Sequence, residues 1–480
     1  MEKKILYVSS EVFPYAATGG LGDVSGSLGK ALKVQTLNKT DVRVVMPLYT
    51  SIAEEYKSRM KFVKYFYVNL SWRRQYCGIF CLEKDGVIYY FLDNEYYFKR
   101  QNIYGEYDDG ERFAFFSKAV LEMLWQIDFY PDILHANDWQ SALCVVYLKT
   151  HFYNVENYKD IKSVFTIHNI EYQGKFDMKI LHDVFELYDD KKNTVEYDGC
   201  INLIKAAIVC CDRLTTVSNR YADEIKSEEY SHGLHYILRD YAYKLSGIMN
   251  GIDYDYYNPE KDSEIFCNFD KNDLYGKTLC KNALLNELGF SSQNDAPLMT
   301  IISRLVEHKG MDLVIRIMED VVQNQNVKLV VLGTGDKMYE DYFLYLQDKY
   351  HEKVRFLNVF DKSLSKRIYS AADIFLMPSK SEPCGLSQMI ASRYGAVPVT
   401  RKTGGLYDSI KEFYEKDGEI FGNGFTFTNY YEYELKDAVM SAINLYCDKD
   451  KWIRLVKKIM QIDFSWKKSA ENYMKLYCEM

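Results

Sequence analysis

Two short stretches of the chain concentrate residues able to hold a charged ligand. In "SRLVEHKG", residues 303 to 310, Arg304 and Lys309 stand five positions apart where an apolar run turns into a helical pattern. Two fixed positive charges at that spacing can reach one diphosphate. The same segment is equally compatible with a solvated basic turn. In "PSKSEPCGLSQM", residues 378 to 389, Glu382 is followed by Pro383, and Cys384, Gly385 and Leu386 open a helical run. This offers a carboxylate beside free backbone amides. A carboxylate can hydrogen-bond sugar hydroxyls while amides hold a phosphate, so together the two stretches describe a sugar-nucleotide site.

A third stretch, "PYAATGGLGDVSGSLGKAL" from residue 14, contains Gly20, Gly22 and Gly26, close to the dinucleotide fingerprint GxGxxG. In that fingerprint the first glycine sits in the tight turn directly after a strand. Here Glu11 to Thr18 intervene between "ILYVSS" and Gly19, and "DVRVVMPLYT" ends in Pro47 without the acidic residue that would hold a ribose. The reading that remains is a longer loop in which Gly19 and Gly20 let backbone N–H groups approach an oxyanion at a helix N-terminus.

These residues need elements to position them, and short apolar runs alternating with helical segments supply a parallel α/β rhythm. The strand-like runs are "KILYVSS", "DVRVVMP", "DILHAND", "SVFTIHN" and "RLTTVSN" in the first half, then "LMTIISR", "VKLVVLGTG", "KVRFLNVF", "DIFLMPS" and "VPVTR" in the second. Between them "ERFAFFSKAVLEMLWQI" places Phe116, Ala119, Val120, Met123, Leu124 and Ile127 on one helical face. "MDLVIRIMEDVVQ" does the same for Met311, Val314, Ile315, Met318, Val321 and Val322. A polar, turn-rich segment beginning "NGIDYDYYNPEKD" at residue 250 is the expected domain junction. Asp138, His168, Arg304, Gly333 and Glu382 all follow apolar runs, the carboxyl-end position at which doubly wound sheets bind ligands.

Composition narrows the class. The chain has 480 residues, 48% hydrophobic and 27% charged, with a formal net charge of −8 and basic residues interspersed throughout. That length predicts two or three domains, and the absence of a basic stripe argues against nucleic acid. Its 43 Tyr and 26 Phe either fill cores or offer stacking platforms to sugar rings. Eleven scattered cysteines without CxxC pairs predict reduced thiols. No run approaches the ~18 apolar residues of a membrane span, so the expectation is a soluble, cytoplasmic protein.

In order along the chain, "TGGLGDV", "HANDWQ", "TIHNIEYQGKF", "TTVSNRYADEI", "IMNGIDYDYYNP", "SRLVEHKG", "LGTGD", "PSKSEPCGLSQM", "RKTGGLYDSI" and "DFSWKKSAENYMKLY" resemble the glycogen/starch synthase family of bacteria and plastids. The resemblance covers nearly the whole chain. It implies the α/β GT-B fold, two Rossmann-like doubly wound domains facing a central cleft, at residues 1–247 and 248–460, with 461–480 crossing back as a helix. It also implies retaining transfer of glucose from a nucleotide sugar to the non-reducing end of an α-1,4-glucan. The co-substrates implied are ADP-glucose or UDP-glucose, ADP-glucose first, with a glycogen or maltooligosaccharide acceptor and no metal or other cofactor.

By position, the resemblance makes Arg304 and Lys309 the diphosphate grip and Glu382 a contact to the donor glucose. His168 then lies against the transferred sugar with Asn169 beside it, and Asp138 near the reacting centre. Tyr104 faces the glucose, Asp23 sits near the nucleotide and Phe360 stacks on the base. Thr18, Gly19, Gly20, Gly333, Cys384, Gly385, Leu386, Thr403 and Gly404 complete the donor and substrate contacts. "DYD" at 253 resembles a metal-binding DxD but belongs here to the "NGIDYDxxNP" segment. Three departures stand out: Ala17 where the family carries Lys, Phe360 where Tyr is commoner, and Ser231-His232 where small residues are usual. Retention by two displacements needs a second carboxylate near Glu382, and Ile390 occupies the place where other retaining GT-B enzymes carry one. The expected course is therefore attack from the face that the nucleotide leaves, with diphosphate oxygen taking the acceptor proton.

Overall fold

The computed structural model describes residues 3–37, 39–290 and 295–480. They form two compact units, Met1–Gly251 with Trp466–Met480, and Ile252–Ser465. The sequence expectation put the divisions at 247/248 and 460/461. One pairing sets both observed divisions: the N–H of Ile252 donates to the Phe464 carbonyl at 2.8 Å, and Ile252 bridges Ser465.

The first unit is built on a nine-stranded sheet. Its strands include β1 (Lys4–Val8), β2 (Asp41–Pro47), β3 (Lys61–Leu70), β4 (Arg73–Lys84), β5 (Val87–Asp93), β6 (Ile133–Asn137) and β7 (Lys162–Ile167). The order across the sheet is Leu245–Gly247, Arg213–Thr216, β7, β6, β1, β2, β5, β4, β3. Strands from Leu245–Gly247 to β5 pair in parallel, whereas β4 and β3 are antiparallel additions. β1 reads as an unbroken apolar run because both its faces are covered, and Ile5, Leu6 and Val8 are fully buried. β3 alternates instead: Phe66, Val68 and Leu70 are buried while Tyr65, Tyr67 and Asn69 are exposed, as for a sheet with one wet face.

The β3–β4 hairpin was not among the expected strands, and it changes the helix next to it. Helix Asp109–Gln126 packs against β3 and helix Asp138–Thr150. Phe113, Phe115 and Leu121 are therefore as buried as the expected face of Phe116, Ala119, Val120, Met123 and Leu124. Ile127 falls at the helix end and is only partly buried.

The second unit holds a six-stranded, all-parallel sheet in the order Val354–Leu357, Lys328–Leu332, Leu298–Ile302, Ile374–Met377, Val397–Arg401, Phe425–Phe427. In chain order this is 3-2-1-4-5-6, the doubly wound arrangement whose direction reverses between strands 1 and 4. Helix Met311–Asn324 packs on helix Glu432–Cys447 as well as on the layer below. Its buried face consequently includes Leu313 and Ile317, while Ile315 is only partly covered. The segment from Ile252 to Leu274, which follows the expected domain junction, belongs to this unit. Buried Asp262 accepts from the Tyr394 hydroxyl, and Arg393 donates to Asn258 at 2.8 Å. In "DYD", Asp253 caps the backbone N–H of Asp255 at 2.7 Å and Asp255 pairs with Lys261 at 3.2 Å.

Candidate active site

The first unit gathers candidate residues after β1 and β6, the two strands at which that sheet reverses direction, and after the neighbouring β7. β6 ends at Asn137, which sits deep in a hydrogen-bond network. Its amide donates to the Val8 carbonyl at 2.9 Å, so its Oδ1 is the acceptor. The Tyr7 hydroxyl donates to that oxygen at 2.8 Å, and His168 Nε2 lies 2.9 Å from it. The network thus assigns the His168 proton to Nε2 and leaves Nδ1 bare. Burial lowers the His168 pKa to about 3, so the ring is a neutral hydrogen-bonding group at physiological pH.

Asp138 follows directly, at φ +54°, a region that Asp and Asn tolerate better than most residues. This turn aims its carboxylate back at the end of β7, where Oδ1 accepts the His168 N–H at 2.7 Å and the Asn169 N–H adds a second bond. Burial nevertheless raises its pKa to about 7, with a smaller push from the Glu11 charge. Near neutrality Asp138 can hold or release a proton. The loop carrying Ser231 and His232 lies nearby: Ser231 is buried, His232 adopts φ +48°, and its carbonyl accepts from Gln173 Nε2 at 3.0 Å.

The glycine loop differs from the expectation. Gly19 and Gly20 were read as letting backbone N–H groups approach an oxyanion, but the Gly19 N–H, at 3.2 Å, and the Thr18 N–H beside it both donate to Glu11 Oε2. Glu11 Oε1 accepts the Thr18 hydroxyl at 2.8 Å and the Tyr104 hydroxyl at 2.6 Å. The Thr18 and Gly19 amides are therefore held by an internal carboxylate, and the N–H groups left to a ligand are those of helix Gly20–Gln35 ahead of Gly22, whose own N–H donates to the Gly19 carbonyl at 3.1 Å. Asp23 lies in the first turn of that helix. Gly19 and Gly20 are exposed.

In the second unit the site follows the strands flanking the reversal, Leu298–Ile302 and Ile374–Met377. Lys309 Nζ donates to Glu382 Oε2 at 2.6 Å, and the Ser379 hydroxyl donates to the same oxygen at 3.0 Å. Arg304 is exposed, and among the described residues it has no side-chain partner. The Thr403-Gly404 turn packs on the Glu382 segment: Gly404 has φ +44°, and a Cβ there would stand 2.0 Å from the Glu382 carbonyl oxygen. Only glycine meets both demands. Cys384 is buried, Gly385 follows at φ +70°, and the expected helix begins at Ser387 with Leu386 as its N-cap. Gly333 closes the neighbouring loop, its N–H donating to the Leu357 carbonyl at 3.1 Å. The Phe360 ring is 80% exposed.

The structure thus brings Asp138, His168 and Asn169 into one hydrogen-bonded group in the first unit and gathers Thr18, Gly19 and Tyr104 around Glu11 in another. It brings Lys309, Glu382, Thr403 and Gly404 together in the second. Sequence reasoning missed Glu11, Asn137 and Ser379. The polar "SSE" closing an otherwise apolar strand run was the signal for Glu11. Among the described residues no three His, Cys, Asp or Glu side chains gather as a metal-holding group, and no helix is long and apolar enough to cross a membrane.

Residues 4–240 match the family described as starch synthase catalytic domain, and residues 289–458 match glycosyl transferases group 1. The chain is 48% identical over 480 residues to a glycogen synthase of Clostridium botulinum (strain Eklund 17B / Type B), covering 99% of each. It is 44% identical over 481 residues to a glycogen synthase of Clostridioides difficile (strain 630), again covering 99% of each. Among solved structures, the catalytic domain of Starch Synthase IV from Arabidopsis thaliana bound to ADP and acarbose superposes with a TM-score of 0.90 at 35% identity. That match covers 100% of this chain and 99% of the other. Sucrose-phosphate synthase from Thermosynechococcus elongatus, at 15% identity and a TM-score of 0.61, shares the fold. Identity of this extent over the full length shows that the chain belongs to the glycogen and starch synthase family, and that it is a glycosyltransferase of the GT-B fold acting in glucan synthesis.

Proposed function

We propose that the chain transfers the glucosyl group of ADP-glucose to the non-reducing end of an α-1,4-glucan with retention of configuration. The observation that carries this reading is the Lys309–Glu382 pair at the reversal point of the second sheet, with the exposed Arg304 guanidinium, which among the described residues has no side-chain partner, five residues before Lys309. Arg304 and Lys309 neutralise the charge that develops on the departing diphosphate. Glu382, its charge balanced by Lys309, accepts from the hydroxyls of the donor glucose. Ile390 is buried and apolar, which favours attack from the leaving-group face over a second carboxylate nucleophile. The diphosphate oxygen then takes the acceptor proton as the new glycosidic bond forms. His168 Nδ1 accepts from a sugar hydroxyl, and Asp138 tunes the charge beside it.

ADP as the leaving nucleotide is supported by the ADP bound in the similar Arabidopsis enzyme. Ala17, which brings no cation to the glycine loop, makes a UDP-glucose preference the competing form of the reading. No metal or other cofactor enters the proposal, since two fixed cations carry the diphosphate. A reducing, cytoplasmic setting fits eleven free cysteines, and a net charge of −8 fits a neutral glucan partner better than a nucleic acid. The test is nucleotide release with glycogen, comparing ADP-glucose and UDP-glucose with and without a chelator, and proton NMR of the new anomeric linkage. Release from neither donor, or a β-linked product, overturns the proposal.

A further inference from the structure

Glu11 is a carboxylate that the expected site residues leave out, and it is 3% exposed. It receives four hydrogen bonds, from the Thr18 and Gly19 N–H groups on Oε2 and from the Thr18 and Tyr104 hydroxyls on Oε1. A carboxylate offers about four lone-pair sites, so this one is saturated and has none left for a substrate. Among the described residues no Lys, Arg or His lies at ion-pair distance from it, and Ala17, on the loop that it holds, supplies no cation. A buried charge with only neutral donors is costly to keep. What it secures is the joining of three separate segments: the end of β1, the glycine loop and the segment around Tyr104.

We infer that Glu11 is a positioning residue for glucosyl transfer, which fixes the glycine loop and the direction of the Tyr104 hydroxyl proton at once. Because a carboxylate only accepts, the Tyr104 proton is committed to Glu11. Its oxygen is left to accept, as it can from Ser10 Oγ at 2.7 Å, and as it would from a hydroxyl of the sugar. The Glu11→Gln side chain keeps the shape, and its amide oxygen can still accept from the Thr18 and Gly19 N–H groups. Its amide nitrogen must donate to the Thr18 and Tyr104 hydroxyls, so both hydroxyl protons turn outward. The substitution therefore separates the loop geometry from the hydroxyl polarity. This inference rests on the reading of the chain as a glucosyltransferase.

Two measurements on the full-length protein test it. Hydrogen exchange of peptides covering residues 15–22 and 101–108 is compared in wild type, Glu11→Gln and Glu11→Ala. Expected is faster exchange in both peptides for Glu11→Ala and wild-type exchange for Glu11→Gln. A change confined to one peptide, or absent from both, overturns the shared anchor. In the transfer assay Glu11→Gln should keep the wild-type Tm and lose roughly 10- to 100-fold in kcat/KM. Adding Tyr104→Phe to it should cost little more, because the two act as a unit. Wild-type kinetics in Glu11→Gln, or fully multiplicative losses in the double variant, overturn the role of the hydroxyl. If the wild-type protein itself transfers no glucose, the functional reading fails and the exchange measurement still decides the anchor.

Discussion

Lys309 Nζ stands 2.6 Å from Glu382 Oε2, joining the ends of the two strands between which the second sheet reverses direction. The pair is largely covered, with side-chain exposures of 18% and 8%. Removing Lys309 therefore strands a buried carboxylate, whereas the exposed Arg304 can be removed without leaving anything unpaired. Lys309→Ala should cost about 2–4 kcal/mol in urea unfolding. Arg304→Ala should stay within about 0.5 kcal/mol of wild type. Both should lower kcat/KM by about 100-fold or more. Equal stability losses in the two variants would contradict the assigned difference.

The Asp138 carboxyl is shifted up, chiefly by burial, to about 7 from an ordinary 3.8. In the folded protein it is neutral below that value, while in the unfolded chain it ionises near the ordinary one. Its contribution to stability is thus fully present below about pH 4 and is lost as pH rises through about 7. Asp138→Asn keeps an oxygen for the His168 N–H and tolerates the positive φ, but has no proton to lose. Thermal unfolding from pH 4.5 to 8.5 should show the variant gaining on wild type across the window, by about 1 kcal/mol or more. Parallel curves for the two proteins would rule the shift out.

Phe360 presents an almost bare ring to solvent. If it stacks on the nucleotide base, Phe360→Ala should leave the unfolding midpoint unchanged and raise the KM for the nucleotide sugar. A stacking contribution of about 1–3 kcal/mol corresponds to roughly 5- to 150-fold. Phe360→Tyr should restore it. Isothermal titration with ADP checks the same point without turnover.

Gly404 and Gly418 both have left-handed backbones, at φ +44° and +77°, but only Gly404 is crowded, by the Glu382 carbonyl. An alanine pays the backbone strain at either position, about 1 kcal/mol. At Gly404 it must also push the Glu382 segment away. Gly418→Ala should keep full kcat, and Gly404→Ala should lose more than 10-fold. Steady-state kinetics of the two variants side by side make the comparison.

Much of the fold was legible because fully buried parallel strands read as continuous apolar runs, as "KILYV" and "KLVVL" do. Residues following such runs, Asp138, His168, Arg304 and Glu382, could be placed near the carboxyl ends by connectivity alone. The β3–β4 hairpin was harder. Its alternating "KFVKYFYVNL" competes with a helical or loop reading until its antiparallel partner is in place, and partner choice is non-local. Partial burial of Ile315 and full burial of Ile317 likewise depended on a second helix packing from the side.

The sequence by itself determined the family, the two sheets and the residue types at each strand end, because these follow from local pattern and motif order. Tertiary structure alone decided what those residues hold. Glu11, 93 positions from Tyr104 in the chain, closes the glycine loop on itself. The proton on His168 is placed by Asn137 and, through it, the Val8 carbonyl, and the pKa of Asp138 is raised chiefly by burial. Each of these depends on distance and desolvation between segments remote in sequence, which no spacing along one chain can express.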